Sequence, residues 1–312
     1  MTTYFPFLRG KREELFALKS LASTIAGHHS VYPIIEPVKR NSITTGSFDK
    51  FVEEEMPFVF VTNPKYGDYK GRGQILYQEF CVDGSLGEYE NYIPALYLYR
   101  GTGMDELNDF NHKFQHLLRA VIYDAVPASD EVRQYCLTQG IIYHHILLDG
   151  KISTEFTNEI PTSRRILMRD NFKRQIRNSD YPPLEHFTDL NTTIGNPQNI
   201  NWGDYSIVGD QFSESGGAAM TVAIHHIHKS ENSGALEISH FLSDDQETTA
   251  NIGGKIIQAV QNLVSALPKL HPNDTCACHQ YQDMAASGHS KGLGYLKRLA
   301  IIHHLETMIA NE

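Results

Sequence analysis

The feature that most limits the fold of this chain is a series of eight short apolar runs, each followed by polar or charged residues. The runs begin 27, 27, 35, 27, 21, 25 and 39 residues apart, which leaves room in most intervals for a strand, a helix and two loops. Strands that alternate with helices are typical of parallel sheets, and eight such units favour a (β/α)8 barrel of the TIM type. The predicted strands are Tyr4–Leu8, Val31–Ile35, Phe58–Val61, Ile93–Tyr99, Ala120–Tyr123, Ile141–Leu148, Ile166–Met168 and Tyr205–Val208.

Helical periodicity fills several of the intervals between these runs. Residues 12–26 place their leucines and Ile25 on one face, and Gly27 provides a stop signal. Residues 104–118, 256–267 and 293–309 show the same spacing of apolar positions. The pattern therefore predicts helices packed around the strands, with an extension at the carboxyl end of the chain.

A second pattern follows the eighth run. Two runs rich in β-branched and apolar residues, 218–229 and 236–242, are separated by Ser-Glu-Asn-Ser-Gly-Ala and predict a β-hairpin. We expect a single barrel domain over residues 1–312, with the hairpin inserted at 213–245 and a helical extension at 271–312.

The composition excludes several classes of protein. A formal net charge of −10 argues against a general nucleic-acid or anionic-membrane surface. The sequence contains no window of the length and apolarity that a membrane span needs. Four cysteines in 312 residues do not form a disulfide framework. We expect a cytoplasmic protein with reduced thiols.

The site of a barrel of this type lies where the strands end, among the loops that follow them. Four basic residues near these ends can bind an anionic group such as a phosphate. They are Arg9, Lys11, Lys39 and Arg169. The alternative is that strands simply meet polar loops, since charged groups are seldom buried. For Lys11, a solvated place in the first turn of a helix is the corresponding alternative.

Acidic residues end other runs. Glu36, Asp124 and Asp210 are candidates for acid–base catalysis. With Asp149 and Asp170 they also form an oxygen-rich set for a hard divalent cation, the one cofactor that the pattern suggests.

Histidines and cysteines give two weaker signals. On a strand, His226 and His228 share a face, and with His240 on the partner strand they form a candidate acid–base or metal-binding group. Exposed imidazoles on a hairpin are the alternative. Cys276-Ala277-Cys278-His279 has the residue types of a zinc site but not the usual two-residue gap, so zinc and a plain loop over 271–289 both stay open.

The residues also carry a family resemblance. The opening Phe-Pro-Phe-Leu-Arg-Gly-Lys-Arg-Glu-Glu-Leu, the segment Pro-Ile-Ile-Glu-Pro-Val-Lys and the block around 203–244 resemble the family named after the beta protein of T-even phages. The resemblance covers essentially the whole chain. It implies a setting in phage–host conflict and antiviral defence. It also implies that the positions Arg9/Lys11, Glu36/Lys39, Asp204/Asp210 and His240/Asp244 matter together.

Two functions compete at this stage. The first is binding, with or without hydrolysis, of a phosphorylated or nucleotide-like ligand at the barrel mouth. In that case Glu36, Asp124, Asp210 and His240 are the candidate catalytic residues. The second is a non-catalytic scaffold or sensor that docks a protein partner through the hairpin and the terminal helix, and an oligomer is compatible with either function.

Overall fold

The computed structural model describes residues 3–138, 140–193, 201–214, 220–244 and 248–310. The contacts between residues divide the chain into two compact units. The sequence predicts a single domain over residues 1–312. The first unit comprises Met1–Leu15, Ala22–Asp170 and Ile194–Tyr205, and the second comprises Phe16–Leu21, Asn171–Thr193 and Ser206–Glu312. Across the described ranges, no helix is both long enough and apolar enough to cross a bilayer.

Eight parallel strands form the sheet of the first unit, which confirms the predicted (β/α)8 barrel. Each strand pairs in parallel with the next one in the sheet. The strands are β1 Phe7–Leu8, β2 Ile34–Ile35, β3 Phe58–Val61, β4 Tyr92–Leu98, β5 Ala120–Tyr123, β6 His144–Leu148, β7 Arg165–Arg169 and β9 Asn201–Asp204.

Helices alternate with these strands along the chain. The first helix ends at Gly27, as its periodicity predicts, and its middle turns belong to the second unit. Asn41 caps the next helix by accepting hydrogen bonds from the backbone N–H groups of Ile43 and Thr44. The helices are α1 Arg12–Gly27, α2 Ser42–Glu53, α3 Gly73–Tyr77, α4 Met104–Phe114, α5 Asp130–Leu137 and α6 Thr154–Glu159, and a π-helical turn at Gln78–Val82 follows α3.

The barrel closes where its first and last strands meet. The Phe5 N–H donates to the Trp202 carbonyl at 2.8 Å, and the Trp202 N–H donates to the Thr3 carbonyl at 3.3 Å. Gly203 allows this close approach, because a Cβ at that position would lie 2.0 Å from the Phe5 carbonyl oxygen.

The interior of the barrel is a packed core of side chains from alternate strand positions. Aliphatic residues fill most of it, and aromatic rings occupy the rest, so the barrel is filled as its fold class requires. The cluster consists of Phe5, Phe7, Ile34, Val59, Val61, Ile93, Ala95, Tyr97, Ala120, Ile122, Ile146, Leu148, Ile166, Met168 and Tyr205.

The eighth barrel strand is the one that the sequence pattern misplaces. The pattern puts it at Tyr205–Val208, but β9 ends at Asp204 and Ser206–Val208 forms a 3-10 turn. The apolar run was misleading because the true strand, Asn-Trp-Gly-Asp, is mostly polar. Its Asp204 side chain is nevertheless buried, where it accepts a hydrogen bond from the Tyr4 hydroxyl at 2.7 Å.

The second unit contains the predicted hairpin. Its strands, β10 Ala223–Lys229 and β11 Leu236–Leu242, are antiparallel, and β8 Leu184–Thr188 pairs with β11 as a third strand. The segment that includes β8 shows no clear period in the sequence, so this strand is not predicted. Gly216 and Gly217, which the sequence predicts to form a turn before the hairpin, lie outside the described residues.

Helices make up the rest of the second unit. The predicted carboxyl-terminal extension is helical, as expected. Asn251 caps the first long helix through a hydrogen bond from the Gly254 N–H, and Thr275 caps the next through one from the Cys278 N–H. The helices are α7 Leu190–Thr193, α8 Ile252–Ala266, α9 Cys276–Ser287 and α10 Leu293–Ile309.

Candidate functional site at the carboxyl ends of the barrel strands

A buried ion pair joins the ends of the first two strands. Arg9 follows β1 and Glu36 follows β2, and Arg9 Nε lies 3.1 Å from Glu36 Oε2. Both side chains are almost fully shielded from solvent. Burial raises the pKa of Glu36, and the nearby Arg9 charge and backbone N–H groups oppose this shift. Arg9 and Glu36 therefore neutralise each other inside the protein.

The loop after β3 holds the Glu36 carboxylate from the other side. The backbone N–H of Lys65 donates to Glu36 Oε1 at 2.6 Å. Gly67 keeps this loop against the segment after β2, with a φ of +74° and its Cα so near Val38 that a Cβ would lie 2.0 Å from the Val38 carbonyl oxygen. Only glycine fits such a position without strain.

Lys65 extends the network to the fifth strand. Its Nζ donates to Asp124 Oδ1 at 2.7 Å, and Asp124 directly follows β5. Both side chains remain partly accessible to solvent. The structure thus joins Arg9, Glu36, Lys65 and Asp124 into one ionic network, in which two ion pairs are linked through the backbone N–H of Lys65. Three of these four are predicted from the sequence, whereas Lys65 lies four residues after β3 and so does not directly follow a predicted strand.

Aromatic rings surround the charged groups. The Arg9 guanidinium carbon lies 4.9 Å from the centre of the Tyr66 ring and 5.4 Å from that of Tyr205. The Tyr97 and Tyr99 rings stack at 6.1 Å, and burial raises the pKa of both hydroxyls, with nearby carboxylates adding to the shift. The Tyr97 and Tyr99 hydroxyls are therefore neutral at physiological pH.

Asn63 fixes the geometry at the ends of the third and fourth strands. Its Oδ1 accepts from the Tyr97 N–H at 2.7 Å, and its Nδ2 donates to the Tyr97 carbonyl at 3.1 Å. The same Nδ2 lies 3.3 Å from Glu106 Oε1. Asn63 is therefore a positioning residue for the aromatic wall.

The remaining predicted basic residues make separate interactions. The backbone N–H of Lys11, at the start of α1, donates to the Glu14 side chain at 3.4 Å. Lys39 Nζ lies 3.6 Å from Asp68 Oδ1. Exposed ion pairs of this kind contribute little to stability.

Arg169 ends β7 and pairs with Asp149, which follows β6. The distance from Arg169 Nε to Asp149 Oδ2 is 3.8 Å, and both side chains are largely exposed. This pair is accessible to an anion, but no described contact connects it to the network that contains Arg9 and Glu36.

Asp210 and His240 belong to the second unit. Asp210 is exposed and follows the 3-10 turn at Ser206–Val208 rather than a barrel strand. The expectation that it ends the eighth strand is wrong, because β9 ends at Asp204.

His240 lies on β11 and forms a chain with two other side chains. Its Nδ1 lies 2.7 Å from His225 Nδ1, and its Nε2 lies 3.3 Å from Glu185 Oε1. The strand register pairs His240 with His225, not with the face that carries His226 and His228. The sequence analysis predicts the wrong grouping of histidines because the register between β10 and β11 cannot be predicted from the pattern of residues along the chain.

The first unit also contains a cavity of about 480 Å³ at the amino ends of its strands. This volume lies within the range of small-molecule pockets. Residues that precede or begin the strands line it, among them Tyr32, Glu90, Tyr92, Tyr143 and His144. In barrels of this type the amino end usually serves stability rather than catalysis.

Comparison of the chain with family models, curated proteins and solved structures gives no match. The function of the site is therefore argued from its own chemistry. Each carboxylate of the network faces a cationic side chain, an arrangement that suits a hard divalent cation poorly. A partly exposed lysine beside aromatic rings suits an anionic ligand better.

Proposed function

We propose that the protein binds a phosphorylated or nucleotide-like ligand at the carboxyl ends of the barrel strands. The observation that carries this proposal is the ionic network of Arg9, Glu36, Lys65 and Asp124 beside a wall of tyrosines. Sites at this end of a (β/α)8 barrel combine groups from several strands in the same way.

Lys65 is the main charged contact in this proposal. Arg9 is buried and paired with Glu36, so its charge is already compensated. Lys65 is partly exposed: its Nζ pairs with Asp124, and its backbone N–H donates to Glu36. A phosphate oxygen that takes the place of Asp124 would gain a charge-assisted hydrogen bond. The Asp124 carboxylate is then free to act as a general base towards water, which is the hydrolytic form of the proposal.

The tyrosines favour a ligand that has an aromatic part as well as an anionic one. The Tyr66 and Tyr205 rings lie within 5.4 Å of the Arg9 guanidinium carbon, and Tyr99 lies next to Tyr97 at the same end of the barrel. Aromatic side chains bind nucleobases by stacking, with a gain of about 1–3 kcal/mol per base.

The test is thermal unfolding of the full chain with a panel of nucleotides and inorganic phosphate. We expect at least one phosphorylated compound to raise the melting temperature. Lys65→Met, which keeps the side-chain stem and removes the charge, should weaken binding about 10- to 100-fold, the loss expected for one charge-assisted hydrogen bond. Asp124→Asn should retain binding and abolish any hydrolysis.

Two controls locate the ligand. Lys113→Met removes a similar lysine, which pairs with Asp109 at 2.6 Å on α4, and should leave binding unchanged. Tyr143→Ala alters the cavity at the amino ends of the strands. Loss of binding in Tyr143→Ala but not in Lys65→Met would show that the ligand binds in the cavity at the amino ends of the strands, and it would contradict the proposal.

A protein-docking scaffold is the rival function. Apolar side chains of the second unit are exposed: Ile176 is 98% exposed, and Leu184 and Met220 are about half exposed. If no nucleotide or phosphate stabilises the protein and a partner co-purifies with it, the scaffold is favoured. Ile176→Asp should then release that partner, because a charge opposes an apolar contact.

The resemblance to the beta-protein family adds a setting to this proposal. We place the protein in the cytoplasm and in phage–host conflict, where ligand binding would serve antiviral defence. Phage plating on cells that carry the wild-type chain or Lys65→Met tests this setting. Equal plating on both would separate the barrel site from defence.

A further inference from the structure

Three metal-ligating side chains from distant parts of the chain meet in the interior of the second unit. His226 lies on β10, Cys278 on α9 and His303 on α10. One ligand atom of each lies within 4.8 Å of those of the other two, and all three residues are fully buried. Buried groups of this kind normally have hydrogen-bond partners or hold a metal ion.

The hydrogen bonds of His303 aim one ring nitrogen into the cluster. Its Nε2 lies 2.7 Å from the Ile227 carbonyl oxygen, which can only accept, so Nε2 carries the proton. The Nδ1 lone pair then faces the start of α9, where the Thr275 hydroxyl is 2.9 Å away and Cys278 Sγ is 3.7 Å away. Histidines that bind metals typically donate their other ring N–H to a carbonyl or carboxylate in this manner.

His226 supplies a second, independent observation. Neither of its ring nitrogens has a hydrogen-bond partner, although the residue is fully buried. Its ring stacks on that of His303, with 3.8 Å between ring centres and an angle of 15° between ring planes. An unsatisfied buried polar group costs about 1–3 kcal/mol, and coordination to an ion would remove that cost.

One separation within the cluster matches a tetrahedral site. With Zn–S near 2.3 Å and Zn–N near 2.0–2.1 Å, two tetrahedral ligands lie about 3.6 Å apart. The observed separation of Cys278 Sγ and His303 Nδ1 is 3.7 Å. Thiolate and imidazole ligands together favour zinc over the hard cations that carboxylates bind.

We propose that His226, Cys278 and His303 bind a zinc ion, and that this ion ties β10 to α9 and α10. The Cys278 thiol releases its proton to solvent as the S–Zn bond forms. Three protein ligands leave the fourth tetrahedral position to a small ligand such as water. Because all three residues are fully buried, we assign the ion a structural rather than a catalytic role.

Two neighbours position the ligands. At the start of α9 the Thr275 hydroxyl lies 2.9 Å from His303 Nδ1 and 3.1 Å from Cys278 Sγ, and its O–H turns away from Nδ1 when the ion takes that lone pair. Glu306, one turn after His303 on α10, accepts hydrogen bonds from the first backbone N–H groups of α9, including that of Cys276 at 3.2 Å. These contacts hold the two helices in the register that brings the ligands together.

The proposed set differs from the cluster that is local in sequence. Cys276 and Cys278 lie two residues apart on a helix and therefore point in different directions. Cys276 is exposed, and its Sγ is 3.2 Å from the Gln280 amide nitrogen. His279 is also exposed. The two candidate sets share only Cys278, so mutation can separate them.

The test uses the full chain, stripped with a chelator and then titrated with Zn²⁺ or Co²⁺. We expect one ion per chain, a higher melting temperature, and a cobalt spectrum with sulfur-to-metal charge transfer and tetrahedral bands. Cys278→Ser should abolish the charge-transfer band. His226→Gln should weaken zinc binding more than about tenfold, as expected for loss of a ligand.

Matched controls make the outcome decisive. Cys276→Ser and His279→Gln remove the neighbouring candidates and should leave stoichiometry and spectrum unchanged. Loss of binding in these two variants, with binding retained in His226→Gln, would overturn the proposal in favour of the local cluster. If the wild-type chain takes up neither ion while its melting temperature stays constant, the three residues are part of the buried core without a metal ion, and the proposal is wrong. This readout does not depend on whether any variant folds.

Discussion

At the scale of single residues, the Arg9–Glu36 pair shows how a charged group can remain buried. Arg9 Nε lies 3.1 Å from Glu36 Oε2, and the Lys65 N–H donates to the other carboxylate oxygen. Removing two charges from water costs several kcal/mol, and only close pairing offsets that cost. The pair is therefore sensitive to the loss of either partner.

We expect Glu36→Gln to lower the free energy of unfolding by about 3 kcal/mol, since it leaves Arg9 buried without its counter-charge. The double variant Arg9→Met/Glu36→Leu should lose less of the free energy of unfolding than Glu36→Gln does, because no charge then remains buried. Glu53→Gln, in an exposed pair with Lys50, should change stability by less than about 0.5 kcal/mol. Urea unfolding measures all three variants. A double variant less stable than Glu36→Gln would contradict this account.

At the scale of elements, closure of the barrel depends on the contact between β9 and the residues before β1. The Phe5 N–H donates across this seam to Trp202, and Gly203 lies directly against the Phe5 carbonyl. A side chain there would separate the strands. The absence of a Cβ is therefore what permits this polar segment to complete the sheet.

Gly203→Ala should destabilise the protein by about 3 kcal/mol or more, because its Cβ would lie 2.0 Å from the Phe5 carbonyl oxygen and 2.7 Å from Met168 Cε. The matched control is Gly46→Ala in α2, where a Cβ would meet nothing within 4 Å. That change should stabilise the helix by up to about 1 kcal/mol. Thermal and urea unfolding should therefore show a loss of stability for Gly203→Ala and a gain for Gly46→Ala. Equal changes in the two variants would show that the close contact between Gly203 and Phe5 is not the reason.

At the scale of the whole molecule, both units bury histidines in their neutral form. In the barrel, burial lowers the pKa of His144 to about 4 and that of His145 to about 3, with the Arg164 charge adding to both shifts. In the second unit, burial likewise lowers the pKa of His228. An unfolded histidine titrates near pH 6.5. Below that value the unfolded chain gains protons that the folded chain does not.

Stability should therefore fall as the pH decreases from about 6.5 towards 4, with up to about 1.4 kcal/mol lost per pH unit for each such histidine. His145→Asn can keep an acceptor for the Tyr123 hydroxyl, now 3.0 Å from His145 Nδ1, and removes one titrating group. Urea unfolding at several pH values should show that the free energy of unfolding falls less steeply with decreasing pH in this variant than in the wild type. Equal slopes in variant and wild type would show that His145 does not contribute.

Much of the barrel could be predicted because its signals are local. Strand and helix periods, the glycine stop of α1 and the spacing of the runs all depend on residues close together in the chain. The two strands that the sequence does not predict correctly, β8 and β9, lack such local signals. β9 is polar and β8 lacks a clear alternating pattern, so their strand structure depends on partners that come from elsewhere in the chain.

By itself, the sequence determined the class of fold and the gathering of Arg9, Glu36 and Asp124, because parallel strands bring their carboxyl ends to one edge. Only the tertiary structure decided that Lys65 joins them, that His240 faces His225, and that Cys278 meets His226 and His303. The physical reason is that register and side-chain direction between distant segments are set by packing. No spacing within the chain encodes them.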